Sequence, residues 1–339
     1  MTINRFATNR RRFLQGGLAT AAAAGMVPAL GRTAWGQSFP SRNMDVVIPT
    51  REGGGADRLY RAFTGIWSKH LGTDFEVGFF PGASGRAGYE TYMNQRERDP
   101  HNLLFGNMGP ELAVMTVQET PFSFPEDFQY FSRVDVDPSI LFVAEDSAFQ
   151  TIDDVIEEGR RRALSTATSR IPHPASIGAL LLGEETGAEF NLVPYSGGRN
   201  TIAAVVTGET DVGVLPAGGV VGSGGMRVLL MWDDENTIPD LTNEAPTMND
   251  HFGTQAPPLV SARAFAIHTE SIEQNPEAFQ KLEETSRQAF EDPEMEEAFR
   301  QAGQPIELVK YGDREECARQ AEAMLELAER FKPLLTGEE

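Results

Sequence analysis

One unit recurs along this chain: an apolar strand, a glycine-rich loop, then an amphipathic helix. "MDVVIP" (44–49) is the first such strand, and "TREGGG" follows it. "ADRLYRAFTGIWSKHLG" then places Leu59, Phe63, Ile66, Trp67 and Leu71 on one helical face. "FEVGFF" (75–80) predicts a second strand and "PGASGRAGYETYMNQ" a second loop and helix. Further strands are predicted at 102–107, 139–145, 163–168, 191–198, 210–216 and 226–232. Thr151, three residues before Asp154, marks a capped helix start. Two helical stretches close the chain, 275–302 and 313–335. Alternation of this kind gives an α/β fold with a parallel sheet.

Composition narrows what such a fold does. The chain has 339 residues, enough for two domains, and a net charge of -21. A surface that acidic does not suit nucleic acid, whose backbone needs clustered Lys and Arg. The single cysteine, Cys317, excludes an internal disulfide, and the five histidines stand at no metal-ligand spacing. There is no P-loop, no GxSxG and no HExxH, so no cofactor, metal or catalytic group is expected.

Residues 1–36 form a separate segment. "NRRRFLQGGLATAAAAGM" couples a basic start to a short run of Leu, Ala and Gly, and Arg10-Arg11-Arg12-Phe13-Leu14 fits the twin-arginine export pattern. The small residues Ala34 and Gly36 precede an expected cut ahead of Gln37. The run is too short to span a bilayer durably. A periplasmic location follows, and loss of the segment's five arginines takes the charge from -21 to -26.

The loop "REGGGAD" leaves three readings open. Gly53, Gly54 and Gly55 expose backbone N–H groups at a helix start, where the dipole favours an anion. A phosphate loop wants Lys and a hydroxyl next, and this chain has Ala56 and Asp57. A dinucleotide turn wants a third spaced glycine. A carboxylate fits better, since its charge is smaller and a few amides with water can hold it. A plain tight turn before a capped helix is the remaining reading.

Seven motifs in order resemble the periplasmic solute receptors of tripartite tricarboxylate transporters, the Bug-type receptors. "IPTREGGGAD" (48–57) is similar to their "VPFPPGGGTD", and "FFPGASGRAG" (79–88) to "NRPGAGGNIG". "DPHNLLFGN" (99–107) resembles "DGYTLLLG", and "FSFPEDFQYFSRV" (122–134) "YDPxxDFxPV". "VPYSGG" (193–198) and "GETD" (208–211) resemble "VPYKGG" and "GQVD", with "PDLTNEAPTMND" (239–250) close to "PDVPTxxE". The resemblance runs over nearly the whole chain after residue 37.

It implies a two-lobed periplasmic-binding-protein fold of type II, a Venus flytrap with two crossovers. One lobe would be 38–138 plus 259–339, the other 139–258. It also implies a monomeric, non-enzymatic receptor that takes a small organic acid and delivers it to integral-membrane transporter subunits. A receptor feeding a sensor kinase and a secreted α/β hydrolase are the alternatives. The ligand residues it implies are Thr50, Arg51, Gly53, Gly54, Gly55, Ala56 and Asp57 in the first loop, Ser84, Gly85 and Arg86 in the second, and Asn107. From the other lobe it implies Thr168, Ser169, Arg170, His173, Tyr195 and Asp211. Glu52 stands where the family often has proline and Ala56 where it often has threonine, while Arg51 and Arg170 add positive charge.

Overall fold

The structure, a computed structural model, describes residues 39–337; the expected export segment lies outside them. The chain begins with β1 (Met44–Ile48), α1 (Gly55–Leu71), β2 (Phe75–Phe79), α2 (Arg86–Gln95), β3 (Asn102–Asn107), α3 (Met108–Gln118) and β4 (Phe128–Arg133). It then builds β5 (Asp137–Ala144), α4 (Ile152–Gly159), β6 (Leu164–Thr168), α5 (Pro174–Thr186), β7 (Phe190–Pro194), α6 (Gly198–Val206), β8 (Val212–Pro216), α7 (Ala217–Val221), β9 (Met226–Trp232), α8 (Met248–Phe252) and β10 (Val260–Ser261). It closes with β11 (Arg263–His268), α9 (Thr269–Gln274), α10 (Pro276–Phe290), α11 (Met295–Gln301), α12 (Arg314–Arg330) and α13 (Lys332–Thr336).

The strands make two sheets. The first has the order β2-β1-β3-β11-β4; the second runs β10-β5-β8-β6-β7, with β9 also paired to β5. The chain leaves the first sheet after Arg133, enters the second at Asp137, and returns between Ser261 and Arg263. Neither sheet is wholly parallel, which corrects the expectation from the strand–helix alternation. β1, β2 and β3 are parallel, as are β6, β7 and β8. The returning strand β11 runs antiparallel between β3 and β4, and β5 runs antiparallel to β8 and β9. Strands that carry the chain between sheets have no crossover helix to align them with their neighbours.

Local chemistry explains the element ends. The five apolar residues read on α1 are all buried, and Gly72 ends the helix in the left-handed region at φ 82°. Thr151 and Asp154 form a reciprocal capping box at α4, and Asp313 and Glu316 another at α12. The stretch 275–302 divides into α10 and α11 because Pro293 lies between them and cannot donate to a continuing helix. Trp67 and Trp232 are core residues, 0% and 2% exposed.

Residues from 39 onward form one compact unit. Its largest apolar cluster joins Leu104 and Leu112 with Leu141, Ile177 and Trp232, and with Met324 of α12. The contact is close at Gly109 on α3: a first side-chain carbon there would lie 2.3 Å from the Val260 carbonyl and 2.9 Å from Pro174. Only glycine lets α3 meet the start of α5 at this point.

Candidate functional site

The first loop leaves the carboxyl end of β1, where open α/β sheets place their ligands. Asp57, buried in the first turn of α1, folds back onto it. Its Oδ2 accepts from the Gly53 amide at 2.8 Å and its Oδ1 from Arg61 Nε at 2.7 Å. The Gly54 amide reaches the Arg51 carbonyl at 3.4 Å. Gly54 caps α1 without any side-chain hydrogen bond, and the amides that open the helix at Gly55 and Ala56 have no acceptor among the described residues. The left-handed residue is Gly53, at φ 77°, while Gly54 is extended at φ −78°. Arg51 is exposed, and the Thr50 hydroxyl is enclosed without a hydrogen-bond partner among the described residues.

The second loop is the more strained. Gly82, Ala83, Ser84 and Gly85 have φ of 141°, 44°, 58° and 106° in succession. Two of these are not glycine, and each such residue costs roughly 1–2 kcal/mol. Gly88 seats the following helix against the first loop, since a first side-chain carbon there would lie 2.4 Å from Pro49 Cβ.

Beneath this loop lies a carboxylate that sequence reasoning missed. Glu111 on α3 is 1% exposed. Its Oε2 accepts from the Asn107 amide at 2.7 Å and from the Tyr89 hydroxyl at 3.0 Å, and its Oε1 from Asn107 Nδ2 at 3.1 Å. Tyr89 also hydrogen-bonds the buried Tyr130 hydroxyl. Burial pushes the Glu111 carboxyl up to about 7, against the pull of the Arg170 charge and these donors. A first side-chain carbon on Gly85 would lie 2.9 Å from Glu111 Cγ, and one on Gly106 2.6 Å from Oε2. Both glycines exist so that the acid fits.

Arg170 reaches this loop from the second sheet, its Nη1 donating to the Ser84 carbonyl at 2.6 Å. Its own segment is folded on itself. The Thr168 hydroxyl donates to the Arg170 carbonyl at 3.0 Å and bonds Ser176 Oγ at 2.8 Å. Ser169 is half-buried beside them. Arg170 therefore joins Ser84, Gly85, Glu111 and Asn107 in one constellation.

Other residues named from the sequence have different work. His173 is the N-cap of α5: its Nδ1 accepts from the Ala175 amide at 3.0 Å. Burial, then the Arg170 charge, hold it well below the usual imidazole range, so it stays neutral. Arg86 donates to Glu90 at 2.6 Å and to the Gln118 carbonyl at 3.4 Å. Tyr195 bonds the Thr168 carbonyl through its amide, while its ring packs against the second sheet's outer core. Asp211 precedes β8, at the strand end opposite Pro216. It binds Arg162 through both oxygens, at 2.7 and 2.9 Å, and accepts from Ser165. Those partners hold its carboxyl down at about 2. It is a structural ion pair, away from the two loops.

Sequence reasoning also missed a buried cluster where the chain changes sheet. Arg263 Nη1 binds Asp135, and Asp137 at 3.3 Å, while Asp137 accepts from the Gly218 amide at 2.8 Å. The acids in "VDVDP" and the arginine in "SARAFAIH" were its signal: charges inside otherwise apolar runs. Among the described residues no group of His, Cys, Asp and Glu could hold a metal ion, and no helix is long and apolar enough to cross a membrane. A polar hollow lined by Asn43, Ser68, Lys69, Gly72, Thr73 and Asp74 lies at the far end of α1, away from both loops.

Comparison with known proteins gives the family and the fold. A family model described as "Tripartite tricarboxylate transporter family receptor" matches residues 60–327. A curated relative from Pseudomonas sp. strain P51, the UPF0065 protein of the tcbD-tcbE intergenic region, is 26% identical over 177 residues, 52% of each chain. The chain thus spans about half the length of the curated relatives it matches. A solved TctC solute-binding protein from Polaromonas superposes with a TM-score of 0.72 at 19% identity, covering 88% of this chain and all of that one. Rpa4515 of R. palustris, solved with adipate, gives 0.71 at 20% identity over 88% of this chain and 98% of its own.

Proposed function

The chain belongs to the receptor family of tripartite tricarboxylate transporters, and we propose that it binds a small organic acid by a carboxylate and delivers it to the membrane subunits of such a transporter. The family and fold are those of solute-binding receptors, which are not enzymes. The observation that carries the ligand class is the start of α1: two amides at a helix dipole, with no side-chain cap and no acceptor among the described residues. Thr50 to Ala56 form one wall, with Asp57 holding that loop. Ser84, Gly85 and Asn107 lie beside them, and Ser169 and Arg170 face them from the second sheet. The adipate in Rpa4515 makes dicarboxylates the first acids to try.

Thermal melts of the protein from residue 37 onward, with adipate, succinate, citrate, benzoate and glutamate, test this. A true ligand at a hundredfold excess over Kd adds about 2.7 kcal/mol. Unchanged melting with every acid would count against the reading. Residues 38–138 plus 259–339 and 139–258 act in this reading as two lobes that close on the acid by bending at the crossovers. A radius of gyration unaltered by a bound acid would refute the closure. Export uses the twin-arginine route, and Arg10, Arg11 and Arg12 changed to lysine should leave the precursor in the cytoplasm. Normal periplasmic accumulation of that variant would point to the general secretory route.

A further inference from the structure

Arg263 opens β11 where the chain returns to the first sheet, and its side chain is 15% exposed. Two carboxylates hold one corner of its guanidinium. Nη1 binds Asp135 and Asp137, which are 0% and 3% exposed, and the Arg263 amide donates to Asp135 Oδ1 at 2.7 Å. Asp135 is fixed in turn by Gln304 Nε2 at 3.2 Å, and Asp137 by the Gly218 amide at 2.8 Å. The cation is thus pinned from one side by elements of both sheets.

The other edge of the group is idle. Nε is enclosed and meets no acceptor among the described residues, and no hydrogen bond is made by Nη2. Nε–H and Nη2–H lie along one side of the planar fork, the side that docks a carboxylate. Leaving a buried donor unmatched is costly, so a chain that keeps one needs a use for it. Nη2 is the part of that edge that reaches outward. It lies 3.7 Å from where a side chain's first carbon would stand on Gly55, the first residue of α1.

We infer that Arg263 is a ligand-binding residue, whose Nη2 donates to the same carboxylate that the Gly55 and Ala56 amides hold. This rests on the reading of these loops as a carboxylate site. Asp135 and Asp137 are then positioning residues, which fix the fork so that its free edge faces the glycine loop. A charged donor there makes the site favour an ionised acid over its amide, because a neutral amide oxygen takes a weaker bond from a cation. Gly55 serves by lacking a side chain between the cation and the helix amides.

Titration calorimetry with adipate, succinate and benzoate, each against wild type, Arg263→Lys and Arg263→Gln, tests the assignment. Loss of one charge-assisted bond should weaken the best acid about 10- to 100-fold in Arg263→Gln, with a smaller loss in Arg263→Lys. Arg263→Gln removes the partner of two buried acids and can fail to fold. A crystal structure of the wild type with that acid is therefore the second measurement. A carboxylate oxygen within about 3.2 Å of Arg263 Nη2 supports the inference. Undiminished affinity in a folded Arg263→Gln protein, or an acid bound out of reach of Nη2, overturns it and leaves the receptor reading standing. Wild type that binds none of these three, nor citrate or glutamate, overturns both together.

Discussion

The loop before α1 and the loop before α2 both end in glycine and both open a helix, yet each is held differently. In the first, the retaining acid is local. Asp57 sits four residues after Gly53, bonds its amide and also pairs with Arg61 at the surface. In the second, the retaining acid comes from a different helix. Glu111 is enclosed by Tyr89, Asn107 and Gly85, and no cation among the described residues bonds it directly. The first loop is a turn that its own sequence can form. The second is a strained shape that exists only once α3 has packed beneath it. Substitutions should therefore act mildly on the first loop and severely on the second.

The largest effect is expected at Gly85. Alanine there must adopt φ 106° and place its methyl 2.9 Å from Glu111 Cγ. Left-handed strain and overpacking together should cost about 3–5 kcal/mol, read from urea melts. A cost below about 1 kcal/mol would mean that the second loop is as adaptable as the first.

Next comes the proton on Glu111. Its carboxyl is raised from 4.5 to about 7, so between those values the folded protein keeps a proton that the unfolded chain has released. The stabilisation is full below pH 4.5 and is lost as pH rises through 7, a swing on the order of 3 kcal/mol. Glutamine copies the protonated form and cannot ionise. Relative to wild type, Glu111→Gln should gain about 2 kcal/mol between pH 5 and pH 8. A stability difference that holds constant across that range would show that Glu111 is ionised throughout.

The two loops also differ in how far the sequence reveals them. "GGGAD" displays the glycines and the acid that orders them within five residues, because every partner is local. Even there, spacing does not tell which glycine needs the left-handed region, and Gly53 rather than Gly55 holds it. Glu111 lies in "MGPELAVM", where helical periodicity marks it only as one polar residue in an apolar run. Its role depends on Tyr89 and Tyr130, supplied by α2 and β4. Arg263 meets acids 126 and 128 positions away. Local patterning gives strands, helices and their caps, whereas buried charge is a tertiary fact. The same limit explains β11 and β4, which neighbour each other only because the chain returns from the second sheet.

A smaller loss is expected for Asp57→Asn. The amide oxygen can still accept from Gly53, but the pairing with Arg61, whose side chain is 54% exposed, disappears. An i,i+4 pair exposed on its arginine side and one weakened hydrogen bond amount to about 1 kcal/mol. A loss matching that of Gly85→Ala would erase the distinction between a local and a distant anchor.

The smallest effect on stability belongs to Gly55→Ala, and it gives the sharpest contrast. Gly55 is the first residue of α1 and needs no left-handed backbone. A methyl there meets only Arg263 Nη2, at an ordinary contact distance of 3.7 Å. Alanine also loses less chain entropy on folding than glycine, a gain of about 0.4–1 kcal/mol where the geometry allows it. The variant should therefore melt within a few degrees of wild type, or slightly above it. If the helix start receives a carboxylate, that same methyl projects into the space between the amides and Arg263, and acid binding should fall by about tenfold or more, roughly the worth of one hydrogen bond. Stability kept with binding lost would separate the two loops cleanly: one shaped for a ligand, the other for its own core. Stability and binding both kept would reduce Gly53–Gly55 to a turn.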